Sequence, residues 1–146
     1  MDKLIEKIKE LNNPTVVGLD PKPEYIPEYI KRKAFKEYGK NLKGLAKAVV
    51  KYNKDIIDEI YDIVPAIKPQ LAYYELLSYY GMKAYYETIE YAQSKGMYVI
   101  ADGKRGDIGT TMEAYAAAHL GQLQLEGEIF TPFGADSLTV NPYLGT

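Results

Sequence analysis

Residues 97–111 read Met97-Tyr98-Val99-Ile100-Ala101-Asp102-Gly103-Lys104-Arg105-Gly106-Asp107-Ile108-Gly109-Thr110-Thr111. The opening Met97-Tyr98-Val99-Ile100 is a short apolar run with β-branched residues, the pattern of a buried parallel strand. Successive strand side chains alternate between faces, so Asp102 and Lys104, two apart at the strand's C-terminal end, point the same way. Asp107 follows past a glycine. Gly103, Gly106 and Gly109 let the backbone bend, and Thr110 and Thr111 suit the first turn of a following helix. A cation is thus flanked by two carboxylates beside a helix start. From spacing alone this is equally a catalytic constellation or a glycine-rich loop with a surface ion pair, worth roughly 0–1 kcal/mol.

The flanking sequence supplies strands and helices in alternation. Leu4, Ile5, Ile8 and Leu11 recur at helical spacing over residues 2–12, ended by Asn12-Asn13-Pro14, and this helix is expected to cap the fold. Thr15–Leu19 is a first buried strand, closed by Asp20-Pro21. Residues 22–38 are a charged surface excursion, partly helical, in which Lys31-Arg32-Lys33 reads as a solvated face. From Leu42, the set Leu45, Ala46, Val49, Val50, Ile56, Ile57 and Ile60 follows a 3.6 period and predicts a long helix. Val64–Pro69 is a second strand, with proline at both ends. Tyr73–Gln93 is a tyrosine-rich helix with a core stripe of Leu77, Gly81, Ala84, Tyr85, Thr88 and Ala92, closed by Lys95-Gly96. Thr111–Leu120 is an alanine-rich helix whose Ala114, Ala117 and Ala118 allow close backbone approach. His119, near its end, is explained by a contact with the helix dipole. Residues 122–134 read as a loop, and Asp136–Val140 as a fourth strand.

Four strands separated by helices imply right-handed βαβ units and a parallel sheet. Asp20, Lys68, Asp102, Lys104 and Asp107 all fall at or just past C-terminal strand ends, where barrel enzymes keep their chemistry. Taken singly, Asp20 is either a turn former before proline or a site residue, and Lys68 either a snorkelling lysine or a site residue. The 146 residues are 47% hydrophobic and 26% charged, the composition of one globular domain, 1–146, with a sizeable core. There are no cysteines, which excludes disulfides and thiolate metal sites and fits a cytoplasmic protein. No signal-like start and no apolar run of about 18 residues points to a membrane. A net charge of −2 argues against nucleic acid, so the 15 tyrosines are read as packing.

The central stretch resembles the signature of the orotidine 5'-phosphate decarboxylases, Asp-x-Lys-x-x-Asp-Ile-x-x-Thr, matched by Asp102, Lys104, Asp107, Ile108 and Thr111. Ile67-Lys68-Pro69-Gln70 and the ending Asn141-Pro142-Tyr143-Leu144-Gly145 resemble the longer, bacterial-type members. The resemblance implies a (β/α)8 barrel, but such a barrel takes about 250 residues. Only the first four β/α units are expected here, an N-terminal half whose C-terminal half either lies on another chain or is lost, with the phosphate-gripping loops beyond Thr146. It also implies conversion of orotidylate to UMP without cofactor or metal. In that scheme Lys104 is the proton donor, Asp102 lies near the substrate carboxylate, Lys68 is a further site residue and Asp20 binds the ribose hydroxyls. Asp107, Ile108 and Thr111 reach the site of the other subunit of a homodimer. Two alternatives stay open: a sister sugar-phosphate barrel enzyme using magnesium, and a catalytically silent half-barrel.

Overall fold

The computed structural model describes residues 1–144. In chain order its elements are α1 (Asp2–Leu11), β1 (Val16–Leu19), α2 (Glu28–Tyr38), α3 (Leu42–Ile60), β2 (Ala66–Pro69), α4 (Leu71–Glu75), α5 (Ser78–Ser94), β3 (Tyr98–Arg105), α6 (Gly109–His119), β4 (Leu123–Leu125), β5 (Glu128–Phe130) and β6 (Ser137–Val140), followed by a 3₁₀ turn over Pro142–Leu144. β1, β2, β3 and β6 form one parallel sheet in that spatial order, the order of the sequence. These four strands therefore end at the same rim.

The sheet core is built from residues too apolar to face water. Ala66, Ile67, Val99 and Ala101 are fully buried. Pro65 and Pro69 sit at the ends of β2, and the carbonyl of Pro65 accepts from the Tyr98 amide at 2.8 Å, so neither ring breaks the central ladder. α3 starts where the Asn41 side chain accepts from the Gly44 amide at 3.0 Å. Its Ala46, Val49, Val50 and Ile57 are buried, as the 3.6 period requires. Between α3, α4 and α5 the buried Asn53 amide donates to the Tyr74 hydroxyl at 2.8 Å and to Thr88 at 3.0 Å. This joins three helices by polar contacts that an apolar environment strengthens.

Four expectations need correction. Tyr73–Gln93 is not one helix: α4 ends at Glu75 and α5 begins at Ser78, whose φ of 58° is left-handed. The break brings the Tyr74 carbonyl within 1.8 Å of where a Cβ on Gly81 would lie, an approach only glycine permits. Residues 122–134 are not wholly loop, since β4 and β5 pair as an antiparallel hairpin. Its turn residues, Glu126 and Gly127, both have positive φ, 50° and 89°, which matches the right-handed twist of paired strands. The alanine face of α6 is only partly covered, with His119 its one buried residue. His119 itself stacks on Phe133 at 5.2 Å between centroids, and burial, then the nearby Arg105 cation, pushes its pKa down. The imidazole is thus held by packing against Phe133, beyond what its place in the last turn of α6 would supply.

Candidate active site

At the common rim the side chains converge on Asp102, which is 5% exposed. β2 and β3 are in register through Ala66–Tyr98 and Ile67–Val99, and an isolated bridge continues it to Gln70–Asp102. That register carries Lys68 and Gln70 to one oxygen of the Asp102 carboxylate. Lys68 Nζ donates to Oδ2 at 2.9 Å and Gln70 Nε2 at 2.6 Å. The other oxygen, Oδ1, accepts from Lys104 Nζ at 2.5 Å and from Thr139 Oγ1 on β6 at 2.8 Å. Four donors on two oxygens satisfy a buried carboxylate.

Those donors decide its charge. Burial pushes the Asp102 pKa up, but the hydrogen bonds from Lys104, Lys68 and Thr139 outweigh it and hold the value at about 2. Asp102 is therefore ionised at neutral pH.

Lys104 reaches this carboxylate through an irregular backbone. The β3–β6 register shifts between Ala101 and Arg105, and Lys104 has a φ of 47°. A non-glycine residue in that region stores on the order of 1–3 kcal/mol. The Lys104 amide donates to Thr139 Oγ1 at 3.0 Å, so one threonine holds both the lysine backbone and the carboxylate. The lysine side chain is exposed at the rim, free to meet a molecule there.

The remaining sequence candidates are placed differently. Asp20 follows β1 at the same rim, in a hollow of about 260 Å³ lined with Gly18, Leu19, Tyr25, Tyr52 and Ile56. Asp107 does not flank Lys104. Its carboxylate accepts from the Ile108 amide at 2.8 Å, and it forms no ion pair among the described residues. The geometry is a carboxylate between two lysines, where the sequence suggests a lysine between two carboxylates. Ile108 and Thr111 are exposed at the start of α6, and neither takes part in the hydrogen bonds of the Asp102 cluster. Sequence reasoning gave no role to Gln70, Thr139 or Arg105. Thr139 had one available signal, a hydroxyl in a four-residue strand entering a charged rim.

The family model described as "Orotidine 5'-phosphate decarboxylase / HUMPS family" matches residues 14–146. The chain belongs to this family. An orotidine 5'-phosphate decarboxylase of Rhodopirellula baltica is 43% identical over 90% of this chain and 41% of its own length. The one of Caldicellulosiruptor saccharolyticus is 35% identical over 99% of this chain and 47% of its own. Among solved structures, Leishmania donovani OMP decarboxylase aligns with a TM-score of 0.66 at 28% identity, over 97% of this chain and 44% of that one. The chain thus spans under half the length of these relatives. Its four-stranded parallel sheet is consistent with half of the family's barrel, with the Asp-x-Lys pair at the strand ends; of the four strand-and-helix units expected, the described residues hold three and the fourth strand, which a 3₁₀ turn follows. Among the described residues, no helix is long and apolar enough to cross a membrane.

Proposed function

We propose that this chain supplies one wall of an orotidine 5'-phosphate decarboxylase site, and the observation that carries the reading is the Lys68–Asp102–Lys104 cluster at the strand ends. Cleavage of the bond from C6 to the carboxylate releases CO₂ and leaves an electron pair on C6. The pyrimidine ring delocalises that pair poorly, so the site must meet it with charge already in place. The Lys104 ammonium does this and then transfers a proton to C6, taking a replacement from solvent. Asp102, kept anionic by its donors, lies beside the substrate carboxylate and raises the energy of the bound ground state relative to the transition state. Lys68 and Gln70 hold that acid in place. Asp20 takes the ribose hydroxyls.

In this reading Asp107, half-buried just before α6, and Ile108 and Thr111, exposed at its start, complete the site of a second copy, making a homodimer the working unit. The phosphate is held by residues outside this chain, on a C-terminal half of the barrel. The reaction so drawn uses no cofactor and no metal.

Orotidylate turnover by the chain alone, and by the chain mixed with the C-terminal half of a curated relative, tests the reading. Activity is expected only in the mixture, and Lys104→Ala should lower kcat by at least about 100-fold, the scale of a lost proton donor, with UMP affinity changed far less. A mixture that assembles yet leaves orotidylate untouched, or a Lys104→Ala mixture of near-normal rate, overturns it.

A further inference from the structure

Arg105 takes no part in the chemistry above, yet it is bonded to the backbone between Asp102 and Lys104. Its Nη1 donates to the carbonyl of Gly103 at 2.9 Å and its Nη2 to Glu75 Oε1, at the end of α4, at 2.7 Å. Its guanidinium carbon lies 5.5 Å from the ring centroid of Tyr115 on α6. The side chain is three-quarters buried, and Nε is buried without a partner among the described residues. Such a placement is costly for a cation unless the contacts it makes are specific.

The Gly103 carbonyl belongs to the peptide unit whose amide is that of Lys104. Arg105 holds the oxygen end of this unit, and Thr139 Oγ1 holds the N–H end at 3.0 Å. With that peptide plane held at both ends, and the Arg105 carbonyl beyond it accepting from the Asn141 amide at 2.8 Å, the backbone is anchored on both sides of the Lys104 Cα, which sets its φ of 47° and the direction in which its side chain leaves toward Asp102. We propose that Arg105 is a positioning residue: a clip that imposes the left-handed conformation of Lys104 by gripping the Gly103–Lys104 peptide, braced on Glu75 and Tyr115. The inference rests on the proposed role of Lys104.

The chemistry calls for arginine. A guanidinium presents two N–H groups in one rigid plane, enough for a carbonyl and a carboxylate together, and stacks its face on an aromatic ring. A lysine at the same place satisfies one partner at a time. The Tyr115 contact also couples the Lys104 peptide to α6, the helix that carries Thr111, so one side chain aligns both parts of the motif.

The test uses Arg105→Lys and Arg105→Met, with amide hydrogen exchange on the chain and kinetics on the chain mixed with a C-terminal half. Exchange of the Lys104 amide should accelerate by about tenfold, the loss of one hydrogen bond's restraint, relative to the Val99 amide on the same strand, which donates to Asp136. In the mixture kcat should fall by about 100-fold in Arg105→Met, with KM for orotidylate little changed, as a misplaced donor predicts. Arg105→Lys should recover only part of either loss, and it carries the test if the methionine variant does not fold. Equal acceleration of both amides means that Arg105 merely stabilises the fold, and an unchanged Lys104 amide means that it grips nothing; both overturn the proposal. If the unmutated mixture turns over no orotidylate, the functional reading fails, while the ratio of the two exchange rates still decides the clip.

Discussion

At the scale of single residues, Asp102 links the site to stability. Its carboxyl falls from the ordinary 3.8 to about 2 on folding, so the unfolded chain binds the proton more readily. The contribution, about 2 kcal/mol, is fully present above pH ~4 and is lost as pH falls from there through about 2. Asp102→Asn should flatten that part of the curve, measured as the urea midpoint against pH, while leaving two lysines beside a neutral amide and lowering stability at pH 7. An unchanged acid slope in the variant would show that the lysines do not hold the carboxylate ionised. The Asp102–Lys104 pair is legible in the sequence because alternate strand residues share a face. Gln70 and Thr139 are not, because their partner is 32 and 37 residues away and only the strand register brings them to it. Asp107 lies away from Lys104 within the chain for a local reason: β3 runs on to Arg105, and in the turn after it the aspartate accepts from the Ile108 amide. The burial of His119 depends on Phe133, which lies beyond the hairpin.

At the scale of elements, periodicity and apolar runs find α1, α3, α5 and the four strands of the sheet, whereas α6, which has no continuous apolar face, is found by its alanines and the Gly121 after them. Such patterns miss what sequence-distant backbone decides. The split between α4 and α5 is set by a carbonyl meeting Gly81, and no side-chain pattern announces it. Gly81→Ala would drive its Cβ to 1.8 Å from the Tyr74 carbonyl oxygen, so α4 and α5 must part. The expected loss is about 3 kcal/mol, the upper end for overpacking, read from the denaturant midpoint. Gly127→Ala has no atom within 4 Å of its new Cβ and pays only for its φ of 89°, so it should cost far less. Similar losses at the two positions would mean that the helix break is not as tight as drawn. The β4–β5 hairpin escapes periodicity because its two strands are three residues each, all six exposed, and its turn is Glu-Gly in place of the more telling Asn-Gly.

At the scale of the whole molecule, the sheet has two open edges, β1 and β6, each with unpaired backbone groups on one side. Apolar side chains stand exposed along them and on the hairpin: Val16 on β1, Val140 on β6, and Leu123, Leu125, Ile129 and Phe130 on β4 and β5. A protein leaves such edges and patches bare only where something else covers them. The purified 146-residue chain should therefore self-associate, or pair with a C-terminal half when one is supplied, and sedimentation at increasing concentration should show the average mass rise. The same chain should bind UMP weakly, with a Kd above about 1 mM, or less than about 4 kcal/mol of binding free energy. In the proposed reading its rim offers Asp20 to the ribose and the Asp102 cluster to the base, and the nucleotide's doubly charged phosphate is left to residues outside this chain. Remote phosphate contacts are where a site of this kind gains the binding energy that orients the reacting ring. Calorimetric titration with UMP, before and after adding the C-terminal half, should show affinity appear only in the mixture. Micromolar binding by a chain that stays monomeric would mean that the four strand ends alone make a complete nucleotide site, and that neither the open edges nor the missing phosphate grip limits it.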